Sequence, residues 1–258
     1  MSSDDGRYKN FRDLGRILEL FEGPERGERG VSDIARTLGM LPSTTSRMLK
    51  VLEAEGLFER DPETKKYSLG ARFLQMGLQY VMNHPLRRLI VPHLEESAKD
   101  LSLSASWAIS RNGRVIIVDR VRIAVDPVLH LLGSEAQFHS TAYGKLFFAF
   151  MTPEEQERIL ETLEFTKLTS RTITDGRSMR KELARVRNQG YAFDDGETRE
   201  SVRALAAPVL DARGNLVAVF GIAGAKSEIP DGRLPELVSH VTQKGLFISR
   251  QLGYFSRG

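Results

Sequence analysis

Glycines at 39, 56 and 70 and prolines at 42 and 62 cut residues 31–70 into short pieces of set length, and this punctuation constrains the fold more than any other feature of the 258-residue chain. Ser32 and Asp33 open a segment that places Ile34, Ala35 and Leu38 on one helical face. It stops at Gly39, which can take the left-handed backbone of a tight turn. A second helix follows Pro42 over residues 43–55 and ends at Gly56. Ala35 lies four residues before the turn glycine, where a small side chain lets the second helix cross closely, so the unit reads as helix, short turn, helix. Upstream, Phe11, Leu14, Ile17, Leu18 and Phe21 recur at helical spacing on a first helix stopped by Gly23 and Pro24. Downstream, residues 57–60 and 66–69 read as short strands around the turn-rich run from Asp61 to Lys65. Three helices and a hairpin make a winged helix-turn-helix.

At 100° per residue, Thr45, Met48, Leu49 and Leu52 of the second helix face the other helices. The opposite side presents Ser43, Arg47 and Lys50, flanked by Thr44 and Ser46. Short hydroxyls and helix-start amides suit phosphate oxygens, and an arginine can bridge guanine O6 and N7 in the major groove. The same residues would also serve as a solvated helix face. Lys65 and Lys66 would lie near a DNA backbone, or else act as edge charges that discourage strand pairing. Bulk charge does not decide the matter: the chain carries +3, and its first 70 residues hold twelve basic and thirteen acidic side chains. Local charge is more telling. Residues 37–51 contain Arg47 and Lys50 and no acid, and Arg72, Arg87 and Arg88 stand unopposed in residues 71–90.

The run VSDIARTLGMLPSTTSRMLKVLEAEGLFERDPETKKYSLG, preceded by ILELF, resembles the N-terminal winged helix of the IclR family of bacterial regulators, down to the closing Tyr67-Ser68-Leu69-Gly70. The family's linker helix is matched from residue 71 to 81, with Leu74 and Leu78 one turn apart. This sets three expected segments: a DNA-binding domain at 1–70, a linker helix at 71–84 and a further domain at 85–258.

Beyond Pro85, strands alternate with helices. Residues 104–110 and 114–121 flank Arg111-Asn112-Gly113 as a hairpin, residues 128–132 add a strand, and 202–210 and 216–223 enclose a second hairpin turn from Asp211 to Asn215. Thr152-Pro153-Glu154-Glu155 is a capping box that opens a helix to about residue 163. Further helices are expected at 178–189, ended by Gly190, and at 234–252. The fold class is α+β.

Catalytic signatures are missing from the sequence. There is no G-x-S-x-G around Ser140, and Gly144-Lys145 lacks the glycine spacing and trailing hydroxyl of a phosphate loop. The histidines at 84, 93, 130, 139 and 240 show no ligand spacing, and the chain has no cysteine, which removes thiolate metal sites and cysteine nucleophiles. No enzyme activity, cofactor or metal is expected. No run of about 20 apolar residues is present, and the first ten residues lack a signal-peptide core, so a cytoplasmic chain is expected.

Two runs stand out: His139-Ser140-Thr141-Ala142-Tyr143-Gly144-Lys145, and the segment from Gly190 through Asp194 to Val209. Both resemble effector-domain motifs of the IclR family, which extends the likeness over nearly the whole chain. The resemblance implies a GAF-like antiparallel sheet flanked by helices, with small carboxylates or aromatic metabolites held in a cup on the sheet. It also implies an operator in double-stranded DNA and assembly into homodimers or homotetramers. Read physically, residues 140–144 are a helix start whose free amides suit a carboxylate, or simply a capped helix packed closely through Ala142 and Gly144. Family members often carry a cysteine where Ala204 stands and polar groups where Gly221 and Ala223 stand; these departures favour a larger, more apolar ligand such as an aromatic acid. Trp107, Val125, Leu129 and Leu131 are candidate walls, or plain core. The expected effector set is therefore Trp107, Val125, Leu129, Leu131, Ser140, Thr141, Ala142, Tyr143, Asp194, Ala204, Gly221 and Ala223. Two other functions stay open at this point: a sensor whose winged helix makes protein contacts only, and an enzyme built on the C-terminal domain.

Overall fold

The computed structural model describes residues 8–22, 27–122 and 132–255. The chain divides into two compact units, Met1–His84 and Pro85–Gly258.

In the first unit, helices α1 (Lys9–Glu19), α2 (Val31–Leu38) and α3 (Pro42–Ala54) precede strands β1 (Phe58–Arg60) and β2 (Tyr67–Leu69), and helix α4 (Ala71–Asn83) follows. Ile17, Phe21, Ile34, Leu49, Leu52, Phe58 and Tyr67 form the core. Phe11, expected on the buried stripe of α1, is 71% exposed; the stripe in fact begins a turn later, at the half-buried Leu14. Gly39 ends α2 at φ +64° and Ala35 is buried, as a close α2–α3 crossing requires. β1 and β2 pair antiparallel, Phe58 opposite Leu69, and Arg29 adds a bridge to Tyr67.

The second unit is built on a five-stranded antiparallel sheet. Helix α5 (Arg87–Leu101) leads into strands β3 (Ser104–Arg111) and β4 (Arg114–Val121), then helices α6 (Ala142–Phe150), α7 (Pro153–Thr162) and α8 (Gly176–Gln189). Strands β5 (Ala192–Asp195), β6 (Val202–Leu210) and β7 (Leu216–Ala225) and helix α9 (Leu234–Gln251) complete it. The strand order is β4-β3-β7-β6-β5. Helices α5 and α9 pack on β3 and β6, while α6 contacts β5, β6 and β7 and carries α8. Neither α5 nor β5 was expected from the sequence. The strand expected at 128–132 lies largely outside the described residues.

Helix α6 is packed almost to its first turn. A Cβ on Gly144 would sit 2.0 Å from the carbonyl oxygen of Gln137 and 2.7 Å from the Cα of Phe138, so only glycine admits this approach. Along the rest of the helix, Leu146, Phe147, Phe148 and Ala149 are buried against apolar neighbours. Lys145 is the exception. Its side chain is fully buried, with Nζ 2.5 Å from Glu197 Oε1 and 3.1 Å from Glu182 Oε1, and it donates a further bond to the Phe193 carbonyl. Glu182 is in turn gripped by both arms of Arg185, at 2.7 and 2.8 Å. Burial would raise the Glu182 pKa, but Arg185 and Lys145 outweigh it and the net shift is downward. At Glu197 burial wins over Lys145 and lifts the carboxyl to about 7.

Two outcomes follow from this packing. Gly144→Ala should destabilise the C-terminal unit by about 1 to 3 kcal/mol, because rigid backbone and not a side chain opposes the new methyl; an unchanged calorimetric transition would refute the close approach. The second concerns pH. An acid whose folded pKa lies above its unfolded value contributes stability that is complete below the unfolded value and is lost as pH rises through the folded one. With 4.5 as the unfolded reference and about 7 folded, Glu197 should lower the C-terminal melting temperature as pH climbs over that window. Glu197→Gln should flatten the slope in scanning calorimetry of the whole chain, and a slope that the variant leaves intact would assign it elsewhere.

Candidate nucleic-acid interface and effector cleft

The α3 surface follows from which of its residues the core consumes. Thr45, Leu49 and Leu52 are buried, and the Thr45 hydroxyl donates to the Leu41 carbonyl at 3.2 Å. Ser43, Arg47 and Lys50 are exposed on the remaining face, with Thr44 and Ser46 half-buried beside them. Among the described residues, neither Arg47 nor Lys50 has an ion-pair partner. Pro42 stands at the first helical position and Leu41 offers no side-chain cap, which leaves first-turn amides of α3 facing outward.

The other expected cations differ among themselves. Lys65 holds a positive φ of 59° and returns its ammonium to the Pro62 carbonyl, so it closes the wing turn, whereas Lys66 is exposed with no such tie. Arg72 is not unopposed: it pairs with Glu55 at 3.4 Å and donates to the Glu55 carbonyl at 2.6 Å. Arg87 pairs with Asp119 at 3.1 Å inside the second unit, a partner too distant in sequence for local charge counting to find.

In the second unit, the sheet register brings the cleft together. Asp194 on β5 lies opposite Ala204 on β6, Ala204 opposite Ala223 on β7, and Ala223 opposite Ser104 on β3. The next row on the same face runs Ala206, Gly221, Ser106 and Arg120. Over these rows sits the start of α6. The Thr141 side chain caps it by accepting from the Gly144 amide at 2.9 Å, and the Thr141 carbonyl takes the Lys145 amide. The amides of Ala142 and Tyr143 have no acceptor among the described residues. A small cleft of about 20 Å³ results, lined by Ser104, Ser106, Arg120, Thr141, Ala142, Tyr143, Asp194, Ala204 and Ala223.

Tyr143 spans the second row. Its hydroxyl donates to the Ser106 carbonyl at 3.0 Å and lies 2.6 Å from the Ser106 hydroxyl. Burial pushes its pKa up to about 12, keeping it a phenol. Gly221 lies directly beneath: a Cβ there would meet the Tyr143 ring at 2.4 Å. Asp194 Oδ1 accepts from the amides of Glu197 and Thr198 at 2.6 and 3.3 Å, and burial raises its pKa.

The expected effector residues thus separate. Thr141, Ala142, Tyr143, Asp194, Ala204 and Ala223 line one cleft. Gly221 does not; it serves as the seat of Tyr143. Ser140 is fully buried below the helix start, its hydroxyl on Gln137 at 3.0 Å and its carbonyl taking the Thr198 hydroxyl. Trp107 is fully buried and, one residue out of step with Ser104 and Ser106, belongs to the other sheet face. Val125, Leu129 and Leu131 fall outside the described residues. Ser104, Ser106 and Arg120 were missed, so the lining is richer in polar groups than positions 204, 221 and 223 alone suggest.

This architecture has known counterparts. The model of the IclR helix-turn-helix domain matches residues 14–62, and that of the bacterial transcriptional regulator IclR C-terminal domain matches residues 78–250. The glycerol operon regulatory protein of Streptomyces griseus is 36% identical over 95% of this chain and 98% of its own. The crystal structure of Thermotoga maritima IclR covers 96% of this chain and all of its own, with TM-score 0.68 and 26% identity. An IclR homologue from Microbacterium hydrocarbonoxydans, solved with 4-hydroxybenzoate, shares the fold at TM-score 0.77 and 22% identity, covering 94% of this chain and 98% of its own. With both of its units matched in order by family models and a relative aligned nearly end to end, the chain belongs to the IclR family of bacterial transcriptional regulators.

Proposed function

We propose that this regulator reads an operator in double-stranded DNA with α3 and changes its grip when a small organic acid enters the cleft under α6. Residues 1–70 serve as the DNA-binding domain, 71–84 as the linker helix and 85–258 as the effector domain. The observation that carries the DNA assignment is the pair of exposed cations, Arg47 and Lys50, on a helix face that carries no acid. Arg47 contacts a base edge, Ser43, Thr44 and Ser46 hold the phosphate beside the helix start, and Lys66, with Lys65 shaping the turn beneath it, follows the backbone.

In the effector domain, the acid rests its oxygens on the amides of Ala142 and Tyr143, where the positive end of the α6 dipole adds to the hydrogen bonds. Ala204 and Ala223 form the floor and Asp194 one wall. The 4-hydroxybenzoate bound by the Microbacterium hydrocarbonoxydans homologue supports an acid as the effector class. The protein works in the cytoplasm without a cofactor, metal or catalytic step, consistent with relatives that are transcriptional regulators; no helix among the described residues is long and apolar enough to cross a membrane. It assembles as a homodimer or homotetramer, a reading supported by α4, where Leu74 and Leu78 stand exposed one turn apart.

Arg47→Ala should weaken operator binding by about 1 to 3 kcal/mol and relax preference at one base position, while Lys66→Ala should weaken all sequences alike and reduce the salt slope by about 1. Footprinting should show half-sites related by a dyad. Operator affinities unchanged in both variants would reject the α3 assignment. In a separate arm, Ala204→Phe should fill the cleft and abolish response to acids while operator binding persists, because the winged helix has its own core; a normal response would remove the cleft from the mechanism.

A further inference from the structure

Ser104, Ser106, Thr141 and Tyr143 bring hydroxyls to the lining of the effector cleft, and three of these have spent their protons inside the protein. Thr141 donates to the Gln137 carbonyl at 2.8 Å while its oxygen takes the Gly144 amide. Tyr143 donates to the Ser106 carbonyl, so across the 2.6 Å contact between the two hydroxyls the Ser106 proton goes to Tyr143. Ser104 is different. It is 3% exposed and lines the cleft, and its Oγ has no hydrogen-bond partner among the described residues.

Packing does not account for this serine. Its cross-strand neighbour on β7 is Ala223, followed along the row by Ala204, and the next row adds Gly221 and Ala206, so β6 and β7 bring no polar side chain to these rows. An alanine at 104 would continue that floor, whereas a buried hydroxyl without a partner is unfavourable. The hydroxyl thus calls for a partner that enters the cleft. Its place relative to α6 follows from Tyr143, which sits in the first turn of that helix and reaches β3 with its phenol on Ser106, two residues from Ser104 on the same sheet face. The helix start therefore stands about one tyrosine side chain from β3, and residues two apart on a strand lie roughly 7 Å from each other. An acid with its carboxylate on the Ala142 and Tyr143 amides crosses only the short alanine floor before it meets Ser104. Serine donates without charge, so the group it suits is a neutral oxygen, an alcohol or a carbonyl.

We propose that Ser104 sets the specificity of the effector cleft: its hydroxyl bonds a neutral oxygen at the end of the ligand remote from the carboxylate, so that the effector is a hydroxy or oxo acid. This rests on the cleft being the effector site, and it adds to that reading the residue that separates such acids from plain ones. A plain acid brings only carbon to Ser104 and leaves its proton unmet. A site built around a buried donor rejects the analogue that lacks the matching oxygen.

Calorimetric titration of the full chain with matched pairs tests this: butyrate against 4-hydroxybutyrate, pentanoate against 4-oxopentanoate, and benzoate against 3- and 4-hydroxybenzoate. In at least one pair the acid with the extra oxygen should bind about tenfold tighter or more. Ser104→Ala should bring that pair to within about threefold by weakening the oxygen-bearing acid and leaving its plain partner unchanged. Without ligand, Ser104→Ala should melt at the same temperature or higher, because it removes an unmet buried hydroxyl; a lower temperature would show that the fold itself satisfies Ser104 and would overturn the proposal. So would pairs that bind alike, a pair difference that Ser104→Ala leaves intact, or succinate binding tighter than 4-hydroxybutyrate, which would assign the far end to a charged group. Ala204→Phe separates the two levels. Acid binding that is lost in Ala204→Phe, but whose pair differences ignore Ser104→Ala, removes only the Ser104 assignment. No acid binding by the unaltered chain, or binding that survives Ala204→Phe, removes the cleft and the proposal with it.

Discussion

The ammonium of Lys145, buried to zero exposure between Glu182, Glu197 and the Phe193 carbonyl, ties together three elements that apolar packing alone would leave free to slide. Helix α6 is otherwise held by Leu146, Phe147, Phe148 and Ala149, whose contacts have no direction. The lysine adds one. It pins the helix to α8 through Glu182 and to the end of β5 through the Phe193 carbonyl and Glu197. Removing one partner of a buried pair costs about 3 to 5 kcal/mol because the other charge is stranded, so the cluster admits few alternative positions of α6. The cleft depends on that placement: Asp194 is the residue after Phe193, and its carboxylate is held by the amide of Glu197 itself.

The sheet supplies the second half of the site by register. Rows that run across β5, β6, β7 and β3 put an acid, two alanines and a serine in line, and the neighbouring row puts Gly221 where the ring of Tyr143 must lie. The small residues at 204, 221 and 223 therefore serve two purposes. Alanines at 204 and 223 leave the floor open, while glycine at 221 admits a tyrosine whose phenol is wholly engaged with Ser106. An apolar residue count at these positions says little about the ligand, because the polar groups come from the adjoining strands.

That division explains what could be read from residues alone. Elements with local signals were legible: the Thr152 capping box, Gly39 and Gly190 at helix ends, and Asn112 and Gly113 at positive φ between β3 and β4. Helix α5 was not, because Pro92 inside it reads as a helix breaker, although Ile90, Leu94, Ala98 and Leu101 keep helical spacing on the buried face. β5 has four residues, too few for alternation to register. Half of the expected effector residues line the cleft: five come from the two motif-bearing runs, and Ala223 from β7. Those missed, Ser104, Ser106 and Arg120, join it through the pairing of β3 with β7 across more than a hundred residues, which no hairpin signal encodes. Trp107 was named as a candidate wall, although strict alternation from Ser104 turns it to the opposite face.

Long-range pairing also resolves the near-neutral charge of the N-terminal unit. Between Arg29 and Arg72, most cations are spent inside the protein. Arg29 donates to the Leu20 carbonyl, Arg36 pairs with Asp33, Arg60 lies over the Tyr67 ring, Lys65 caps its own turn and Arg72 pairs with Glu55. Among the described residues, no acid, ring or carbonyl claims Arg47, Lys50 or Lys66. Two stand on the exposed face of α3 and one on the hairpin. A polyanion responds to the charges it can reach, screened over roughly 10 Å, so distribution governs and the sum does not. The acids of this unit therefore subtract little from the α3 face: several are consumed in pairs, and α3 carries none until Glu53, in its last turn.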